Sequence, residues 1–150
     1  MSDDPIISRM TIFGHPLHPM LIHFPVAALM ALAATDIAYF VSSDPFWARA
    51  GLWLAGVGAA GGWLSGIIGL IDIATVPNIR RLVTGWCHAA LAVMLLSLAS
   101  CNWLLRIDAA ERLILPWGLG VSFLSVMLIA ATGFLGGRLV YEHAVGVHTN

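Results

Sequence analysis

Gly14-His15-Pro16-Leu17-His18-Pro19-Met20-Leu21-Ile22-His23-Phe24-Pro25 places three histidines within nine residues, two of them directly before proline, and then opens onto a long apolar run. Proline biases the residue before it toward extended backbone, so His15 and His18 are expected on a non-helical lead-in. Pro19 suits the first helical position, where its missing N–H costs nothing. His23 then falls about one turn inside the first helix, and Pro25 removes a further backbone bond beside it. A ring nitrogen next to interrupted backbone, just under a membrane surface, is the starting point for a site.

Composition decides that there is a membrane. Of 150 residues, 59% are hydrophobic and only 10% charged, and mean hydropathy is +0.89. A soluble domain carries about a quarter charged residues, so this chain has too few polar groups to cover a globular surface. It reads as an integral membrane protein. Net charge is −1 with no basic run, which argues against nucleic acid as a partner. Cys87 and Cys101 fall on one predicted helix about 21 Å apart, too far to bridge each other. Arg9, the apolar run after Met20 and Ala31-Leu32-Ala33 together imitate a signal peptide. Asp3 and Asp4 spoil its positive region, and His23 and Pro25 interrupt its apolar run, so the segment is expected to be the first span.

Four spans follow from the apolar runs, at about 20–40, 50–73, 86–105 and 115–140, each long enough to cross roughly 30 Å of hydrocarbon. Ser42–Pro45 is a turn, 74–84 the longest connection, and 106–111 the last turn. Connections this short impose an all-α, up-down-up-down four-helix bundle forming a single transmembrane domain. That alternation puts all six histidines (His15, His18, His23, His88, His143 and His148) on one membrane face. Trp47, Trp103 and Trp117 near one face, with Trp86 and Tyr141 near the other, form aromatic belts. The histidine face carries Arg9, Arg80, Arg81 and Arg138, against Arg49, Arg106 and Arg112 on the other, which places the termini in the cytoplasm by a margin of one residue.

A weak internal repeat is visible. His23 followed by Gly66 and Gly69 corresponds to His88 followed by Gly133 and Gly136. Two such hairpins packed about an axis along the membrane normal would bring His23 and His88 face to face. Two imidazoles from different helices can hold a haem between them, provided small residues let the neighbouring helices approach. Gly66, Gly69, Gly133 and Gly137 supply these at the same depth. Arg80, Arg81 and Arg138 are candidates for the propionates, through charge-assisted hydrogen bonds.

Each feature also has a plainer explanation. Gly58, Gly62 and Gly66 at four-residue intervals suit ordinary helix packing. Asp36 and Asp72 near span ends suit capping or pairing better than proton relay, and Cys87 suits a small buried thiol. A lone interfacial histidine, such as His15, His143 or His148, is usually just amphipathic.

The opening stretch resembles the first motif of a bacterial family catalogued as domain of unknown function 2231. Ser65-Gly66-Ile67-Ile68-Gly69-Leu70-Ile71-Asp72, Gly85-Trp86-Cys87-His88, and Gly136-Gly137-Arg138-Leu139-Val140-Tyr141-Glu142-His143 followed by Gly146-Val147 extend the resemblance over nearly the whole chain. It implies a small four-helix protein of the bacterial inner membrane, with some relatives attached to Rieske-type iron–sulphur domains. That company suggests electron transfer, although this chain carries no iron–sulphur ligand set. The leading expectation is therefore a b-type cytochrome-like subunit, with haem b between His23 and His88, exchanging electrons with a partner protein or quinone, alone or in a homo- or hetero-oligomer. A copper or zinc site built from His15, His18, His23, His88 and His143 is the first alternative. A cofactor-free structural or assembly subunit is the second.

Overall fold

The computed structural model describes residues 6–108 and 110–147. A β-hairpin of two short strands, β1 (Thr11–Ile12) and β2 (His15–Pro16), leads into helix α1 (Leu17–Ser42). Helix α2 (Pro45–Thr75), a single turn α3 (Pro77–Arg80), α4 (Val83–Ile107), an irregular π-type turn (Ile114–Gly118) and α5 (Leu119–Tyr141) follow. Four of these stretches are long and apolar enough to cross a membrane, and they enclose all four expected spans. In hydrocarbon only an element that satisfies its own backbone can span, which selects helices.

Local chemistry sets the ends. Ser43 takes a left-handed conformation (φ 52°) and returns its N–H to Tyr39, closing α1. Asp44 Oδ1 then accepts from the Phe46 N–H at 2.9 Å, with Pro45 at the first helical position of α2. A two-residue link leaves α2 no course but antiparallel to α1. Around the bundle the neighbours are α1–α2, α2–α4, α4–α5 and α5–α1, so α1 stands diagonally opposite α4.

Two boundaries differ from the sequence reading, and both matter. Helix α1 begins at Leu17, so His18 and Pro19 are in its first turn, while only His15-Pro16 is extended. First-turn N–H groups have no intrahelical acceptor, so Pro19 loses nothing there. Arg106, expected in a surface turn, is instead in the last turn of α4 and 1% exposed.

The core is a layer of Leu29, Leu32, Ala55, Ala59, Leu95 and Ala99, and the α2 glycines receive leucines. A Cβ on Gly58 would fall 2.5 Å from Leu29 Cδ2, and one on Gly62 would fall 2.3 Å from Leu96 Cδ2. Helix packing is thus the work of the four-residue glycine repeat.

At the end of the bundle away from the histidines, Arg106 clasps Asp36 through two hydrogen bonds of 2.7 and 2.8 Å. Arg106 Nε donates to Asn102 Oδ1 at 2.9 Å, Asn102 Nδ2 donates to Ser122 Oγ at 2.9 Å, and Ser122 Oγ donates to Asp36 Oδ2 at 2.7 Å. The circuit ties α1, α4 and α5 together. Gly51 and Gly118 leave the guanidinium its space, since a Cβ would lie 3.0 and 2.7 Å from its nitrogens. Among the described residues, every buried side-chain nitrogen and oxygen has a partner.

Removing one side of such a pair strands a charge. Asp36→Ala should lower stability by about 3–5 kcal/mol, and the paired change Asp36→Leu with Arg106→Leu should recover much of it. Unfolding in mixed micelles measures both.

Candidate functional site

One turn inside the histidine end, the rings of His18 (α1) and His88 (α4) meet across the bundle diagonal. Their centroids are 6.1 Å apart and their planes lie at 89°. Each ring is fixed by the adjacent helix. His18 Nδ1 lies 2.8 Å from the Ser65 carbonyl oxygen, and His88 Nδ1 lies 3.0 Å from that of Thr132. A carbonyl can only accept, so Nδ1 is the donor in both rings and Nε2 takes no part in these bonds; Ser65 Oγ lies 3.1 Å from the same His18 Nδ1. Ser65 Oγ also donates to the His18 carbonyl at 3.3 Å, which steadies the first turn of α1 where Pro19 follows.

Glycine provides the seats. A Cβ on Gly69 would stand 2.9 Å from His18 Nδ1, and one on Gly136 would stand 3.4 Å from His88 Cε1. Ser65-Gly66-Ile67-Ile68-Gly69 on α2 and Thr132-Gly133-Phe134-Leu135-Gly136 on α5 therefore do the same work: a hydroxyl residue offers its carbonyl, and a glycine four residues on admits the ring. The internal repeat is real in structure, but its first histidine is His18.

His23, expected opposite His88, is exposed on the outer face of α1, away from Pro25, Ala28 and Leu29, which face inward. The pair expected at His23 and His88 is formed by His18 and His88. Pro25 is buried against Gly61 and Gly62 instead of flanking a site. His15 lies exposed in β2, and His143 lies half-buried in the turn after α5. His148 lies outside the described residues. Among the described residues, no three His, Cys, Asp or Glu side chains converge, so the five-histidine set does not assemble. Cys87 is exposed, not the buried thiol expected.

The remaining candidates spread out. Gly66 packs against Leu96, and Gly133 has nothing within 4 Å of its Cβ position. Gly137 lines a shallow cleft on α5 with Phe134, Arg138 and Tyr141. Arg80 and Arg81 are exposed at the same end of the bundle. Arg138 pairs with Glu142 at 2.7 Å, and the hydrogen bond it donates holds the Glu142 carboxyl below its ordinary pKa.

Asp72 has a partner that the sequence did not disclose. Its carboxylate accepts from Ser8 Oγ at 2.5 Å and from the N–H groups of Arg9 and Met10 at 2.8 and 3.1 Å. Ile6 exchanges backbone bonds with Ala144 and Gly146. The amino-terminal arm and the carboxy-terminal tail are thereby stitched together at the histidine end.

The two ring seats differ in tightness, and a methyl group tests them. Gly69→Ala should push the His18 ring off the Ser65 carbonyl and cost about 1–2 kcal/mol, whereas Gly136→Ala, which makes an ordinary contact, should cost little. Thermal unfolding in detergent, with imidazole NMR of the two variants, separates these outcomes.

No curated protein and no solved structure matches this chain. The family described as "Predicted membrane protein (DUF2231)" matches residues 14–149, from the glycine that opens the histidine-rich stretch almost to the last residue. That match covers nine-tenths of the chain and both hairpins, and the chain belongs to this family of predicted membrane proteins.

Proposed function

We propose that this protein is a membrane electron carrier whose His18 and His88 would hold one b-type haem near the histidine face. The observation that carries this reading is the pair of rings opposed across the bundle, each oriented by an Nδ1–H bond to a backbone carbonyl. The ring centroids, 6.1 Å apart, are at about the separation that two imidazoles would have if both held one metal ion at about 2.0 Å. Edge-to-face packing of two rings gives similar distances. The preset tautomer favours ligation, because ligating histidines fix their second nitrogen in this way.

The diagonal placement supports a flat cofactor. On α5 a Cβ on Gly133 would meet nothing within 4 Å, room that a flat group held between α1 and α4 would need, whereas Gly66 on α2 already receives Leu96. Arg80 and Arg81 stand at the same end as partners for acidic substituents. When bound, the iron would supply one-electron chemistry, and the chain's own part is to ligate, orient and screen it. A single site near one face suits exchange with a redox protein or quinone on that side, rather than conduction across the bilayer. With Arg106 withdrawn into the bundle, Arg9, Arg80, Arg81 and Arg138 outnumber Arg49 and Arg112, which favours a cytoplasmic histidine face. Bacterial inner-membrane residence belongs to the same reading.

Protein purified from haem-replete cells should show a Soret band and sharp α and β bands on reduction, with one haem per chain by the pyridine haemochrome assay. His18→Ala and His88→Ala should each abolish the bands, while His15→Ala and His23→Ala should keep them. Copper or zinc bound without iron, and lost in the same two variants, would move the site to the metal-ion reading. Colourless, metal-free protein that also fails to bind added haemin would leave a structural subunit.

A further inference from the structure

The tip of the amino-terminal hairpin carries an aromatic ring that its own fold does not use. Thr11 pairs with Pro16 and Ile12 with His15, leaving Phe13 and Gly14 as the turn. Both have positive φ, 49° and 80°, as in the type I′ turn whose central positions favour Asn-Gly. Gly14 fits this requirement. Phe13 does not: a bulky side chain in the left-handed region brings its Cβ against the following carbonyl. The same side chain is 96% exposed. In water, asparagine would be better on both counts, so conformation and solvation each disfavour phenylalanine here.

We infer that Phe13 is an interfacial anchor, seated in the headgroup–acyl boundary of the bilayer beside α1. Reach argues for this occupant. The hairpin ends at Pro16 and the spanning helix begins at the next residue, Leu17, and a two-residue strand is roughly 7 Å long. The polar zone on each side of the hydrocarbon is about 5–7 Å deep, so a hairpin joined directly to the start of α1 brings its tip within reach of that zone. Chemistry agrees. Ile7 and Ile12 are exposed on the same arm, and the exposed Arg9 offers a cation to anionic headgroups. Phenylalanine beside basic residues is a side chain that interfacial anchors bury at this boundary, and arginine extends its head toward phosphate. The Asp72 carboxylate, by holding the backbone of Arg9 and Met10, fixes the arm from which the hairpin projects.

Replacing Phe13 by the photoreactive analogue p-benzoylphenylalanine keeps an aromatic ring at the tip. The full chain, reconstituted in phosphatidylcholine–phosphatidylglycerol vesicles and irradiated, should gain the mass of one phospholipid. The yield should be several-fold higher than for the same analogue at Asn78, exposed on α3 at the same end. Irradiation in native membranes should again give chiefly the lipid adduct. A yield no higher than at Asn78, or crosslinking chiefly to a second copy or another protein, would overturn the anchor. Thermal unfolding of the labelled chain, unchanged from the parent, shows that the fold is intact in either outcome.

Discussion

A polar group in hydrocarbon has no water to fall back on, and that constraint shapes both ends of this bundle. At one end a guanidinium and a carboxylate, both almost wholly buried, close on each other and on Asn102 and Ser122. Neither charge is tolerable alone, so three helices must converge where the circuit closes. The middle of the bundle, leucines laid on glycines, has close contacts but little that fixes one arrangement over another. The ionic clasp therefore supplies register, and the apolar layers supply area.

The other end obeys the same rule with neutral groups. Each imidazole satisfies one nitrogen on a backbone carbonyl already engaged in its own helix, since a carbonyl has a second lone pair to give. The arrangement leaves one nitrogen on each ring outside these bonds. The two ends therefore contrast: one is saturated and closed, the other leaves those two ring nitrogens out of its bonds.

The four spans, their alternation and the gathering of the five described histidines at one end were legible because they rest on apolar run length and on short links. The packing role of Gly58 and Gly62 was legible from spacing alone. The sequence favours His23 over His18 because a proline after His18 biases toward extended backbone, and the first turn of a helix is where that bias fails. The better signal lay in Ser65-Gly66-Ile67-Ile68-Gly69 and Thr132-Gly133-Phe134-Leu135-Gly136, matched position by position, although which histidine each seats depends on helix rotation. Arg106 looked like a turn residue because its partner lies seventy positions away. The clamp on Asp72 is made largely by backbone N–H groups, which carry no residue signature.

The two hairpins are near copies at the ring seats and unlike elsewhere. Serine binds one ring through its carbonyl and also clasps the histidine's own backbone, whereas threonine holds the other ring by its carbonyl alone. Gly69 crowds its imidazole more closely than Gly136 does. These differences leave the two rings chemically distinguishable. Anything held between them would experience a firmer hand on the side of α1 and a more yielding one on the side of α4.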